Sequence, residues 1–140
     1  MRQNLEIYLA GGMTGLSLSE QCEWRDYIKK ILEDINPHCF CINPIDYYSE
    51  FDIVPKYDSD REVMEYDLYR LENSDLVIVN FNSPKSLGTM AELGFAKARK
   101  IKVLGLNESA VSLHPWQRDI CEKIFYDIDE LISYVIGYYF

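Results

Sequence analysis

The segment "DLVIVNF", residues 75–81, constrains the fold of this chain more than any other stretch. Leu76 to Val79 is continuously apolar. Alternate residues of a strand face opposite sides, so a run with no polar residue belongs where both faces are covered. That place is the centre of a parallel sheet with helices on each side.

The rest of the pattern agrees. "LEIYLAGG" reads as a first strand that ends in a glycine pair, where the backbone comes close to something. In the segment after it, Ser17 and Glu20 have capping-box spacing, and Trp24, Ile28, Ile31, Leu32 and Ile35 repeat at helical intervals. This predicts a helix from about Leu18 to Ile35. "HCFCINP" is a second strand closed by Pro44. Residues 43–58 form the longest irregular stretch, placed to fold over a pocket. A helix follows with Ser59 and Glu62 at capping spacing and a buried stripe of Met64, Leu68 and Leu71. After the central strand come a loop "NSPKSLG", a helix "TMAELGFAKARK" and a strand "IKVLGL". Pro115 opens a short helix, "IFY" is an edge strand, and "DIDELISYVIGYYF" is a closing helix with an aromatic tail. The expected fold is α/β: a flavodoxin-like three-layer sandwich with a mostly parallel five-stranded sheet, in one domain spanning residues 1–140.

A net charge of -9 argues against binding a nucleic-acid polymer, though a small phosphate can still be held by backbone N–H groups at a helix start. No stretch approaches the length of a membrane span. None of the spacings among Cys22, Cys39, Cys41 and Cys121 matches a zinc knuckle or a CxxC pair, so they read as free thiols of a cytoplasmic protein. His38 and His114 lack metal-ligand spacing.

In such folds ligands bind past the carboxyl ends of the strands. Three segments end there: Gly11 to Gly15, Asn43 to Tyr48, and Asn80 to Thr89. "GGMTG" is neither a Walker motif nor GxGxxG. It reads as a plain turn or as a cradle in which Gly12, Met13 and Thr14 present N–H groups. Asp67 is either a solvated surface aspartate or one shielded at the border of a buried stripe, where its pKa would rise. Glu92 lies three residues after Thr89. The pair fits a capping box. It equally fits a carboxylate at a pocket rim, kept ionised by the positive end of the helix and suited to attack a sugar C1 carbon.

Together these residues resemble the nucleoside 2-deoxyribosyltransferases and the related 2'-deoxynucleoside 5'-monophosphate N-glycosidases. The resemblance spans Glu6 to about Leu106. It is carried by "IYLAGGMTG", by "MEYDLYRLENSDLVIVNF" and, most specifically, by "SLGTMAELGFAKARKIKVLGL" with its G-T-x-x-E-x-G core. It implies that Glu92 is the nucleophile, that Asp67 assists protonation or positioning, and that Tyr8 helps hold the nucleophile. It further implies that Gly11, Gly12, Met13, Thr14 and Gly15 lie near the sugar or its 5' end, and that Ser86 and Gly88 meet a 5' phosphate. The transferase branch has a later asparagine segment supplied by a neighbouring subunit, for which Asn107 is the nearest counterpart.

The implied reaction is cleavage of the N-glycosidic bond of a nucleoside or nucleoside 5'-monophosphate, with water or a second base as acceptor. It uses no metal and no organic cofactor. The resemblance also implies a homodimer or higher homo-oligomer, with the tail "GYYF" either reaching a neighbouring site or packing at an interface. The rival expectation is a non-catalytic nucleotide-binding or assembly module.

Overall fold

The computed structural model describes residues 4–13, 15–47 and 59–140. Five strands form one sheet in the order β2-β1-β3-β4-β5: β1 is Leu5–Gly11, β2 Cys39–Ile42, β3 Leu76–Asn80, β4 Lys102–Leu106 and β5 Lys123–Phe125. All four pairings are parallel. Each crossover contains a helix: α1 is Leu18–Ile35, α2 Asp60–Glu72, α3 Leu87–Ala98 and α4 Pro115–Ile120, with α5, Ile128–Tyr139, closing the chain. This is the doubly covered flavodoxin-like sandwich that the central apolar run demands.

The pleat sorts the core into two layers. Leu5, Ile7, Leu9 and Ile78 face α1 and α5, meeting Trp24, Ile28, Leu32, Leu131 and Val135. Tyr8, Ala10, Val77 and Val79 face the other way, against Leu71 of α2 and Leu93 and Ala96 of α3. Leu76 to Val79 are all fully buried, each side chain contributing about 1.5–3 kcal/mol through the water-excluded area. Cys39 and Cys41 lie buried on the α1 side, and the four cysteines are free thiols.

The helix boundaries follow from caps. Ser17 and Glu20 form the full capping box of α1, and Ser59 accepts from the Glu62 N–H at the start of α2. Pro115 occupies the first turn of α4, where the His114 side chain accepts from the Trp116 N–H. Asp75 is structural, as its position at the entry of β3 suggests: its carboxylate accepts from the Glu6 N–H at 2.9 Å.

Three expectations are corrected. α3 starts at Leu87 with Ser86 as its cap, so Thr89 and Glu92 do not form a capping box. Ser86 stands one turn earlier and its hydroxyl takes the Thr89 N–H. Met64 is 54% exposed and Leu68 half-buried, leaving Leu71 as the buried anchor of α2. That helix turns its apolar residues 63, 64 and 68 to a cavity. Ile35, at the last position of α1, is also exposed. Of the irregular stretch after β2, the described part is a 3-10 turn, Pro44–Tyr47; the rest lies outside the described residues. In the tail, Tyr139 and Phe140 pack against the chain's own α1/α5 core. Among the described residues, no helix is long and apolar enough to cross a membrane.

Candidate functional site

The order of the strands reverses between β1 and β3, and their carboxyl ends open a crevice there. A cavity of about 860 Å³ occupies it, within the range of small-molecule sites. Gly11, Met13 and Arg25 line it from β1 and α1. Val63, Met64, Asp67 and Leu68 line it from α2. Ser83, Lys85, Ser86, Gly88, Thr89 and Glu92 line it from the β3–α3 side.

Glu92 sits in the second turn of α3. Tyr8, wholly buried on β1, points to the same side of the sheet, and its hydroxyl donates to Glu92 Oε2. The phenol therefore orients the carboxylate. Glu92 has its pKa pushed up to about 7. Burial is the main cause, the Tyr8 hydrogen bond opposes it, the Asp67 charge adds to it and the Arg25 charge opposes it. The expectation that the helix start keeps Glu92 ionised is thus corrected. The residue lies beyond the first turn, where the dipole fades, and desolvation dominates. The result is a carboxylate that changes charge near neutral pH.

Asp67 lines the same cavity from the facing helix and is half-buried. The turn after β1 is tightly built. A Cβ on Gly12 would fall 2.5 Å from Ser83 Cβ, so only glycine lets this turn approach the β3–α3 loop. Gly15 takes a positive φ of 83°. Gly11 and Met13 line the cavity, while Thr14 lies outside the described residues. Ser86 and Gly88 line it at the first turn of α3. Asn107 does not reach it. Its amide closes the β4–α4 loop, accepting from the Val111 N–H at 3.1 Å and donating to the Val111 carbonyl at 3.0 Å.

Arg25 is the residue that sequence reasoning missed. It is fully buried. Its guanidinium donates to the carbonyls of Leu9 (3.2 Å), Gln21 (2.6 Å) and Gly11 (3.1 Å). β1 has its last register partner on β2 at Tyr8, and Arg25 serves the carbonyls beyond it. Gln21, one turn earlier, donates to the carbonyls of Met13 and Leu16. The two side chains staple the turn from the α1 side. The signal was present: Arg25, Ile28 and Leu32 lie three and four residues apart, which puts the arginine on the buried stripe.

Fold and site define an α/β domain with a cavity at the switch point of a parallel sheet. Residues 7–130 match the family described as nucleoside 2-deoxyribosyltransferase. The chain belongs to that family. No curated protein is significantly similar in sequence.

Several solved structures share the fold. A conserved protein from Enterococcus faecalis V583 superposes with a TM-score of 0.82 at 15% identity, over 96% of this chain and 98% of its own. The 2-deoxyribosyltransferase of Bacillus psychrosaccharolyticus gives 0.73 at 18% identity, over 92% and 91%. The CMP N-glycosidase BcmB of Clostridium botulinum gives 0.59 at 20% identity, over 95% and 98%.

Proposed function

We propose that this protein cleaves the N-glycosidic bond of a (deoxy)nucleoside or its 5'-monophosphate, with Glu92 as nucleophile and water or a second base as acceptor. One observation carries the reading: a carboxylate held by Tyr8 shares a cavity large enough for a nucleoside or its 5'-monophosphate with Asp67 at the switch point of the sheet. In the first step a Glu92 oxygen bonds to the anomeric carbon as the C1'–N bond breaks, and the bond pair leaves with the base. Asp67 assists proton delivery to that base. In the second step the acceptor attacks the same carbon, loses a proton and releases the Glu92 carboxylate, so configuration is retained.

Gly11, Gly12, Met13, Thr14 and Gly15 are assigned to the sugar or its 5' end, and Ser86 and Gly88 to a 5' phosphate. Asn107, engaged with Val111, has no part in the cavity of its own chain. Met64 and Leu87, 54% and 88% exposed on residues that line the cavity, favour a homodimer or larger assembly that covers them. The four free thiols fit a cytoplasmic setting.

The test is incubation with a panel of nucleosides and 5'-monophosphates, with and without a free acceptor base, followed by chromatography for base, sugar product and exchanged nucleoside. Release of base supports the reading. Hours of binding to a monophosphate without release would make the protein a binding module instead.

The titration of Glu92 sets a pH profile. Only the ionised carboxylate is a nucleophile, so kcat/KM is expected to fall as pH drops through about 7. Tyr8→Phe removes the hydrogen bond that favours ionisation while keeping the ring. The midpoint should then move upward by about one pH unit, as expected for losing a charge-assisted hydrogen bond. A midpoint unmoved in that variant would contradict the orienting role of Tyr8.

A further inference from the structure

Ser83, Lys85 and Ser86 reach the cavity from the loop between β3 and α3. This loop is anchored from outside the site. The Pro84 carbonyl accepts from Nε2 of Gln117 at 2.6 Å. Gln117 belongs to α4, is 5% exposed and is not among the cavity-lining residues. Its Oε1 accepts from the His114 N–H at 2.9 Å. The orientation of the amide is thereby determined, because the N–H must face an oxygen and the carbonyl must face an N–H. One buried side chain caps α4 and holds the loop 33 residues away.

We propose that Gln117 is a positioning residue that fixes the Ser83–Ser86 loop where it meets the polar end of the substrate, without touching the substrate itself. The proposal rests on the reading of the cavity as a nucleoside or nucleoside 5'-monophosphate site. Its geometry is specific. The cap of α4 needs only an acceptor at position 117, which Glu supplies as well as Gln. The Pro84 carbonyl needs a donor, which a carboxylate lacks. Gln117→Glu, studied above about pH 8 so that the buried acid is ionised and has no O–H to donate, therefore keeps the cap and turns the 2.6 Å attraction to the loop into a repulsion. Gln117→Leu removes both. The loop has a second fixed point in the close approach of Gly12 to Ser83, so losing the Gln117 bond should shift the loop without unfolding it.

The experiment compares wild type, Gln117→Glu and Gln117→Leu by hydrogen exchange and by steady-state kinetics. In both variants the amides of Ser86 and Thr89, bonded to the Ser83 carbonyl and the Ser86 hydroxyl, should exchange about tenfold faster or more, with those of Leu71 and Ile78 unchanged. KM for the 5'-monophosphate should rise about tenfold with kcat within about twofold, the signature of lost uniform binding. Wild-type exchange and KM in Gln117→Glu, with effects in Gln117→Leu alone, would reduce Gln117 to a helix cap and overturn the proposal. If the wild-type protein releases no base from any substrate, the reading of the cavity fails. The exchange comparison then decides alone: faster loop exchange in Gln117→Glu upholds the anchor, and unchanged exchange overturns it.

Discussion

Glu92→Gln is expected to abolish base release, lowering kcat by about 10⁴-fold or more, the order seen when a covalent nucleophile is removed. The amide keeps the size of the side chain and still accepts from Tyr8, so the fold should survive. Stability gives a second readout with a defined sign. Glu92 titrates near 7 in the folded protein against an ordinary value of 4.5. The folded state therefore holds the proton more tightly. The associated stability is fully present below pH 4.5 and is lost as pH rises through 7. Gln does not titrate. Relative to wild type, the variant should gain roughly 2–3 kcal/mol between pH 4.5 and pH 8, measured by urea unfolding. Turnover within tenfold of wild type would remove Glu92 from the mechanism. A flat stability difference across that range would show that its carboxyl is not desolvated.

Arg25→Met should produce the largest loss of stability, about 3–5 kcal/mol, because it strips a charged donor from buried carbonyls. For a chain of this size that is a drop in Tm of roughly 10 °C or more. The methionine can fill the space but donates to none of the carbonyls of Leu9, Gly11 and Gln21 that Arg25 serves. The same substitution removes a positive charge that helps keep Glu92 ionised. Any activity that remains should therefore show its acid limb at higher pH. A variant with wild-type unfolding would mean that the β1–α1 turn does not depend on this residue.

The parts of the structure legible in the sequence were those governed by local rules. The Leu76–Val79 run placed β3 at the centre, and the Ser17/Glu20 spacing gave the start of α1 to the residue. The start of α3 was misread because two overlapping signals compete there. Thr89/Glu92 has the spacing of a capping box, but Ser86 stands one turn earlier and its hydroxyl takes the Thr89 N–H.

The candidate site was legible to the extent that motif residues converge: Tyr8, Asp67, Glu92, Ser86 and Gly88 meet around one crevice. Its electrostatics were not legible. The ionisation of Glu92 depends on burial and on partners tens of residues away in sequence. Arg25 escaped notice because a charged residue reads as surface until the carbonyls that receive it are known. Asn107 illustrates the converse, since nothing in its neighbours signalled that Val111 would occupy its amide.

Trp24, buried at the inner end of the β1–α1 junction, would lie 2.9 Å from a Cβ placed on Gly11, and Arg25 stands over its ring. The chain's other tryptophan, Trp116, is 72% exposed on α4. The molecule therefore contains two indoles in opposite surroundings, which can be excited apart from its tyrosines. An aqueous quencher should extinguish the light from Trp116 and spare that from Trp24. The emission that survives comes from an indole packed on the α1 side of the sheet against the glycine that ends β1, so its colour reports on the integrity of that junction with no label attached.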